Sequence, residues 1–262
     1  MTHINLDTDN ISEEDLLEKI DYVGSCLSTN DFAPLLNIGT KKFSFGERGI
    51  TAVELKGSAV IFSTYFCGRP DPQRNVFVQN DAYDYIKPLY ESVYKLGLNC
   101  IIFHDGLSND FVEQYSTSSI KFVQVKLGNL SLNDERYFLY YEYILRFGQH
   151  FTQVIMSDIS DVVVRKDPFP LLSDHPRLLF TGRSNISLIK HNFVNYQRIR
   201  KLEEDTGIEV PSNYYNMRIF NAGTIGGSKN VVVYLLRQMI GYFLRYDTDR
   251  NHNMTVFNLC ID

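Results

Sequence analysis

Apolar runs and amphipathic segments alternate along the chain from residue 58 onward, and this alternation predicts the fold. Four continuous apolar runs have the length of buried strands, at 58–66, 99–105, 120–126 and 152–158. The three segments between them carry apolar residues at helical spacing, at 80–97, 108–116 and 133–148. Strands that alternate with helices predict an α/β fold, in which a mostly parallel sheet is flanked by helices on both faces.

The second half of the chain has a less regular pattern. We predict a strand at 177–182 and a helix at 188–205. A further strand at 218–227 enters a glycine-rich turn, Asn-Ala-Gly-Thr-Ile-Gly-Gly, and a helix follows at 228–246. Glycine adopts backbone conformations that other residues avoid and lets a ligand approach closely, so this turn is a candidate binding segment.

Residues 1–55 differ from the rest of the chain. Ser12 and the acidic residues after it have the pattern of a helix start, and loop-like segments follow. We interpret 1–55 as an N-terminal helical and loop extension packed on a main domain at 56–262.

Composition excludes several classes of protein. The net charge of −5 argues against a nucleic-acid partner. No window of about 18 uninterrupted apolar residues is present, so we expect no transmembrane segment. The N-terminus is acidic and lacks an apolar leader, and the four cysteines lie far apart, which together predict a cytoplasmic protein with reduced thiols.

The most informative stretch is the end of the fourth predicted strand, where an apolar run meets Asp158 and Asp161. Open α/β sheets place their ligands at the carboxyl ends of strands. Hard divalent cations are often held there by one or two carboxylates and substrate phosphates. The alternative is that both acids only cap a turn. Because strand alternation would place the two on opposite faces, they can meet one ion only if the chain turns at Ile159 and Ser160.

The order of these parts resembles a known family. A strand with a polar loop, a helix of the Asn-Asp-Glu-Arg-Tyr-Phe type, the Asp-x-x-Asp strand and Asn-Ala-Gly-x-x-Gly-Gly follow one another. This is similar to nucleotide-sugar-dependent glycosyltransferases of the GT-A fold, which have a Rossmann-like sheet, and the resemblance covers 58–262. It implies a hexosyl- or deoxyhexosyltransferase that moves a sugar from a nucleoside-diphosphate donor, by preference a UDP-sugar, to a hydroxyl of a carbohydrate or glycoconjugate.

The resemblance also implies a metal site. Asp161 corresponds to the last acid of the family's Asp-x-Asp motif and would ligate Mn²⁺ or Mg²⁺, with Asp158 beside it. This chain has two residues between the acids where the usual motif has one. His252 is a third candidate ligand, and its alternative is an ordinary surface or core histidine.

A larger set of residues is expected to bind the nucleotide and the donor sugar. They lie in the loop after the first strand, at the end of the second strand, before the metal strand and in the glycine-rich segment. These candidates are Thr64, Arg69, Arg74, Asp105, Arg136, Asp158, Asn221 and Gly223. For the arginines the alternative is a solvated surface, and for Asp105 it is a plain Asp-Gly turn.

The expected site has three candidates for the catalytic base. The family's acidic position corresponds to Asn253, and a neutral amide does not accept a proton near pH 7. Asp249 and Asp247 are the nearest carboxylates in the sequence.

Two other functions remain open from the sequence. A sugar-phosphate nucleotidyltransferase would also use paired acids, although the glycine-rich loop with a trailing lysine expected of that class is absent after the first strand. A non-catalytic carbohydrate-binding module on the same fold would explain a neutral residue at 253.

Overall fold

A seven-stranded mixed sheet organises the described part of the chain. The computed structural model describes residues 2–4, 46–183, 193–207, 209–210, 212–216, 219–246 and 250–261. The strands are β1 (Thr2–Ile4), β2 (Ala59–Tyr65), β3 (Cys100–His104), β4 (Ile120–Gln124), β5 (Gln153–Ser157), β6 (Leu179–Arg183) and β7 (Phe220–Ser228).

The strands lie in the order β1-β6-β7-β5-β2-β3-β4. β5, β2, β3 and β4 are parallel neighbours, whereas β7 runs antiparallel between β5 and β6, and β1 runs antiparallel to β6. Five of the seven strands therefore point in one direction, and the predicted mostly parallel α/β fold is confirmed.

Seven helices connect and cover the strands in the described ranges. They are α1 (Tyr83–Leu96), α2 (Asn109–Tyr115), α3 (Leu132–Phe147), α4 (Phe169–Asp174), α5 (Phe193–Thr206), α6 (Lys229–Tyr246) and α7 (Asn253–Cys260), with a 3₁₀ turn at Ser212–Asn216. Within those ranges, no helix combines the length and the apolar character needed to cross a membrane.

Alternating strand residues separate the interior into two layers. On β2, Val60 and Phe62 pack with α3, α6 and α7, whereas Ile61 and Tyr65 pack with α1, α2 and α4. The strands are apolar on both faces because helices cover both faces. α3 is buried along most of its length, which explains its aromatic and aliphatic residues, and its Tyr140 stacks on Phe62 with ring centroids 5.6 Å apart.

The glycine-rich segment differs from the expected turn. Its residues belong to β7 and lie in the middle of the sheet, and none of its three glycines has a positive φ. A Cβ at Gly226 would lie 2.8 Å from Cγ1 of Ile155, and one at Gly227 would lie 3.0 Å from the carbonyl oxygen of Leu178. The glycines are therefore required by close strand packing, not by turn geometry.

The proposed N-terminal extension lies mostly outside the described residues, including the helix predicted to begin at Ser12. Its described parts contact the main sheet and α3. β1 pairs with β6 at the sheet edge, and Ile50 lies in the core beside α3. The boundary at residue 55 stays a prediction.

The segment before β2 is fastened to α3 by a buried ion pair. Nη2 of Arg48 lies 2.9 Å from Oε2 of Glu135, and Oε1 of Glu135 accepts the backbone N–H of Leu130 at 3.1 Å. Glu135 has no exposed surface and Arg48 is 9% exposed. A buried charge that loses its partner is strongly destabilising, so this pair fixes the segment to the helix.

We predict that Arg48→Met lowers the free energy of unfolding by about 3–5 kcal/mol, because Glu135 keeps its charge in the interior without a counterion. Urea unfolding followed by circular dichroism measures the change. Adding Glu135→Gln should restore most of the loss, since the amide oxygen can still accept the N–H of Leu130. A single variant within about 1 kcal/mol of the wild type would contradict this role of the pair.

Candidate functional site

A polar cleft of about 150 Å³ opens where β2 and β5 end and β7 begins. After β2 the chain continues to β3 and β4 on one side, and then returns to β5 on the other side of β2. The strand order therefore reverses between β2 and β5. Open α/β sheets bind ligands at such a reversal, outside the carboxyl ends of the strands.

The cleft has two sides and a centre. The side next to β2 and α1 is formed by Thr64, Asp71, Gln73, Arg74 and Tyr85. The side next to β7 and the first turns of α3 and α7 is formed by Asn133, Asn221, Gly223, Asn253 and Met254. The centre is the segment after β5, with Asp158, Ser160, Asp161 and the side chain of Arg136.

The two carboxylates of the Asp-x-x-Asp motif share this cleft. β5 ends at Ser157, and the chain bends at 159–161, so that both Asp158 and Asp161 line the cleft, together with the buried Ile159 between them. The bend removes the conflict with strand alternation.

Asp158 is held by a buried guanidinium. Nη1 of Arg136 forms an ion pair with Oδ1 of Asp158, and Nη2 donates to the carbonyl oxygen of Ala222 at 3.2 Å and to the hydroxyl of Tyr137 at 3.0 Å. Burial lowers the pKa of Arg136, but the nearby Tyr137 and Asp158 outweigh it and raise the pKa overall. Arg136 was predicted to contact a nucleotide; it lies in the cleft, where its bound partner is Asp158.

The second oxygen of Asp158 faces Gly223. A Cβ at position 223 would overlap Oδ2 of Asp158 and lie 3.0 Å from Oδ1 of Asn221. Any residue larger than glycine at position 223 would displace this oxygen. Oδ1 of Asn221 accepts the N–H of Gly223 at 2.7 Å, so Asn221, although exposed, is oriented by the strand.

The carboxylates fit a hard divalent cation that is held partly by a ligand. In the described ranges, no group of three His, Cys, Asp or Glu side chains is placed to hold an ion. Asp161 is exposed at the centre of the cleft, and Oδ2 of Asp158 is free of Arg136. Mg²⁺ is commonly bound through one or two carboxylates, with phosphate and water oxygens completing its coordination. Two acids therefore suffice for an ion that binds together with a diphosphate.

The loop after β2 is ordered by its own carboxylates. Oδ1 of Asp71 accepts the N–H groups of Gln73 at 2.7 Å and Arg74 at 3.1 Å, and Oδ2 lies 3.4 Å from Nη1 of Arg74. Thr64 and Arg74, two of the predicted donor-binding residues, line the cleft.

Asp105 and Arg69 lie elsewhere. The carboxylate of Asp105 accepts the N–H groups of Cys67 at 2.8 Å and Gly68 at 3.0 Å, so it fixes the start of the loop. Neither Asp105 nor Arg69 is part of the lining of this cleft. Their contact with a nucleotide stays a prediction.

The N-terminus of α7 is bound to α3 by a buried acid. Oδ2 of Asp134 accepts the N–H of His252 at 3.3 Å, immediately before α7 begins at Asn253. His252 is buried, and its Nε2 lies 3.5 Å from Oδ2 of Asp205 on α5. The structure thus places the predicted metal ligand His252 beside Asp205 and not in the lining of the cleft.

Of the three candidate bases, one lies in the described part of the chain. Asn253 lines the cleft, and its role as a catalytic residue stays a prediction. Asp247 and Asp249 lie outside the described residues.

Sequence reasoning missed several residues of the cleft. Tyr85 comes from the first turn of α1, and Asn133 comes from the first turn of α3. Asp71 and Gln73 come from the loop between β2 and α1. For Asp71 a signal was available, because Asp-Pro-x-Arg favours a turn in which the aspartate accepts backbone N–H groups. Tyr85 and Asn133 had no such signal, since only the packing of the helices brings them to the cleft.

Comparison with known proteins gives likenesses of structure alone. No family model matches the chain, and no curated protein matches it. An active-site mutant of LgtC matches with 15% identity and a TM-score of 0.44, over 77% of this chain and 69% of that one. The galactosyltransferase LgtC in complex with donor and acceptor sugar analogues matches with 14% identity and a TM-score of 0.42, over 77% and 70%.

Mouse xyloside xylosyltransferase 1 in its apo form matches with 12% identity and a TM-score of 0.42, over 78% of this chain and 81% of that one. All three likenesses are distant in sequence.

We predict that Gly223→Ala displaces the carboxylate of Asp158 and weakens binding of a nucleoside diphosphate with Mn²⁺ at least tenfold. The added methyl group overlaps Oδ2 of Asp158, which is partly exposed and can turn away, so the fold should remain intact. Calorimetric titration measures affinity, and the melting temperature serves as the control for folding. Wild-type affinity in the variant would show that the position of this oxygen is not critical.

We predict that the stability of the protein depends on Asp134 at neutral pH. Burial raises the pKa of Asp134 to about 7, although the N–H of His252 favours its charged form. An unfolded aspartate titrates near pH 4. The protonated acid therefore contributes stability that is complete below about pH 4 and is lost as the pH rises through about 7.

The unfolding free energy of Asp134→Asn relative to the wild type should increase by about 1 kcal/mol or more between pH 5.5 and pH 8.5. Melting curves across this range test the expectation. Asp110→Asn, which removes an exposed acid in the first turn of α2, is the matched control for the loss of one carboxylate. A difference between Asp134→Asn and the wild type that does not change with pH would contradict the prediction.

Proposed function

We propose that this protein is a metal-dependent glycosyltransferase that uses a nucleoside-diphosphate sugar, with UDP as the preferred carrier. The observation that carries the proposal is the shared position of Asp158 and Asp161 in one polar cleft at the reversal of strand order. Two carboxylates, an arginine-bearing loop and a set of amides meet there, which suits a ligand with phosphates at one end and hydroxyls at the other.

The two sides of the cleft suggest how the donor lies. The nucleotide would contact the side of Thr64, Arg74 and Tyr85, where a cation and an aromatic ring are available. The sugar would lie on the side of Asn133, Asn221 and Asn253, whose amides can donate to and accept from hydroxyl groups. The phosphates would then sit at the centre, above the segment after β5.

Asp161 and Oδ2 of Asp158 are the groups that would hold the metal. A bound Mn²⁺ or Mg²⁺ supplies positive charge where the departing diphosphate becomes more negative. Arg136 keeps the carboxylate of Asp158 in place through its ion pair, and Gly223 leaves that carboxylate its room. The first turns of α3 and α7 line the same cleft, and helix N-termini favour bound anions.

An acceptor hydroxyl has to lose a proton during transfer. Among the cleft residues that the structure describes, Asp71, Asp158 and Asp161 are the carboxylates, and Asn253 is the residue at the family's acidic position. Asp249 and Asp247 remain candidates for the base. A non-catalytic carbohydrate-binding protein would need no base, and Asn253 is the observation that favours this second function.

The deciding experiment is a thermal-shift panel of nucleoside diphosphates and their sugars, with and without Mn²⁺, followed by calorimetric titration of the ligands that bind. We expect UDP and at least one UDP-sugar to raise the melting temperature, and Mn²⁺ to enlarge the shift. A ligand at one hundred times its dissociation constant stabilises the native state by about 2.7 kcal/mol.

We expect Asp161→Asn to remove the effect of Mn²⁺ on binding and to abolish metal-dependent release of the diphosphate. Asp174→Asn, at an exposed acid at the end of α4, is the matched control and should behave as the wild type. Full metal-dependent activity in Asp161→Asn would refute the metal site. Tighter binding of a GDP-sugar would change the base and leave the rest of the proposal standing.

We predict that Asn253→Asp raises the rate at which the bound donor is turned over, with donor affinity changed by less than about threefold. A carboxylate at this place can accept the proton that an amide cannot. Asn221→Asp makes the same change elsewhere in the cleft and controls for added charge. No gain for Asn253→Asp, together with loss of activity in Asp249→Asn, would place the base at Asp249 instead.

A further inference from the structure

The charges of the cleft are unevenly distributed, and this bears on which sugar it accepts. Its ionised side chains, among the lining residues that the structure describes, are Asp71, Asp158, Asp161, Arg74 and Arg136. Both arginines are already paired, Arg74 with Asp71 and Arg136 with Asp158. Asp161 has no ion pair in the described ranges, so the cleft carries an excess of negative charge.

The side next to β7 offers amides instead of charge. Asn133 and Asn253 come from the first turns of α3 and α7, and Asn221 from the start of β7. Of the lining residues that the structure describes, Arg136 is the cation that borders this side, and it is 6% exposed and turned towards Asp158, Tyr137 and Ala222. A negative group placed here would meet no available positive side chain among these lining residues.

The orientation of Asn221 determines which of its groups can face a ligand. Its Oδ1 accepts the N–H of Gly223, which leaves its Nδ2 amide group as the part that can reach a ligand. Neutral amide donors and acceptors match hydroxyl groups, but they give a carboxylate little compensation for the loss of its hydration.

We propose that the cleft selects a neutral, hydroxylated sugar and rejects a sugar that carries a carboxylate, such as a uronic acid. This inference rests on the proposed function and deepens it, because it names the chemical class of the group that is transferred. The selectivity follows from the side formed by Asn133, Asn221 and Asn253, whose groups are neutral amides.

Matched donor pairs that differ only at carbon 6 provide the test. They are UDP-glucose and UDP-glucuronate, UDP-galactose and UDP-galacturonate, and GDP-mannose and GDP-mannuronate, titrated calorimetrically into the full chain with Mn²⁺ and compared with UDP and GDP alone. We expect the neutral member of each pair that binds to have at least tenfold higher affinity than its uronate.

A uronate that binds as tightly as its neutral partner, or more tightly, would overturn the inference and leave the proposed function intact. If no diphosphate and no donor binds, the proposed function itself fails, and the inference fails with it. The free diphosphates distinguish the two failures, because they lack the sugar altogether.

A variant tests the cause of the selectivity. Asn221 is exposed, so Asn221→Lys adds a cation to the amide side at small cost to folding, and Asn133→Lys does so from α3. Either variant should reduce the preference for the neutral sugar by at least fivefold. Asn230→Lys, at an exposed asparagine in α6 beyond the opposite end of β7, is the control and should leave the ratio unchanged. An unchanged ratio in both cleft variants, with wild-type melting temperatures, would refute the electrostatic explanation.

Discussion

The ion pair between Arg136 and Asp158 is the interaction on which the candidate site depends. Arg136 belongs to α3, the helix that connects β4 to β5, and Asp158 is the first residue after β5. The same guanidinium donates to the carbonyl oxygen of Ala222 near the start of β7. One buried cation thus joins a helix and two neighbouring strands. Loss of the charge on Asp158 would leave the buried guanidinium of Arg136 without its counterion, which is far more destabilising than loss of a surface pair.

Close packing of β7 against β5 also determines the shape of the candidate site. Gly226 leaves space for the side chain of Ile155 in the middle of the sheet. Gly223 leaves space for the carboxylate of Asp158, just after the carboxyl end of β5. A larger residue at either position would separate the strands or displace the acid. The glycines that predict a turn in the sequence therefore allow close strand packing, and Gly223 among them lines the cleft.

The first half of the fold could be predicted because its signals are local. Continuous apolar runs are characteristic of strands covered on both faces, and β2, β3, β4 and β5 all lie where such runs occur. The antiparallel direction of β7 could not be predicted in this way, because apolar content does not indicate the direction of a strand. The buried acids of α3 were also beyond sequence reasoning. Glu135 and Asp134 resemble ordinary first-turn acids, and only tertiary contacts with Arg48 and with the N–H of His252 explain their burial.

The electrostatics of the cleft explain why a metal and a diphosphate would bind together. The pairing of Arg136 with Asp158 and of Arg74 with Asp71 leaves Asp161 as the uncompensated charge among the described cleft residues. A diphosphate alone would approach this carboxylate against repulsion, although the first turns of α3 and α7 favour an anion. A cation alone would have few ligands, because no group of three acids or histidines in the described ranges is placed to hold an ion. The cation would supply positive charge for the diphosphate, and the diphosphate would supply oxygen ligands for the cation. Binding of either should therefore strengthen binding of the other by the same factor.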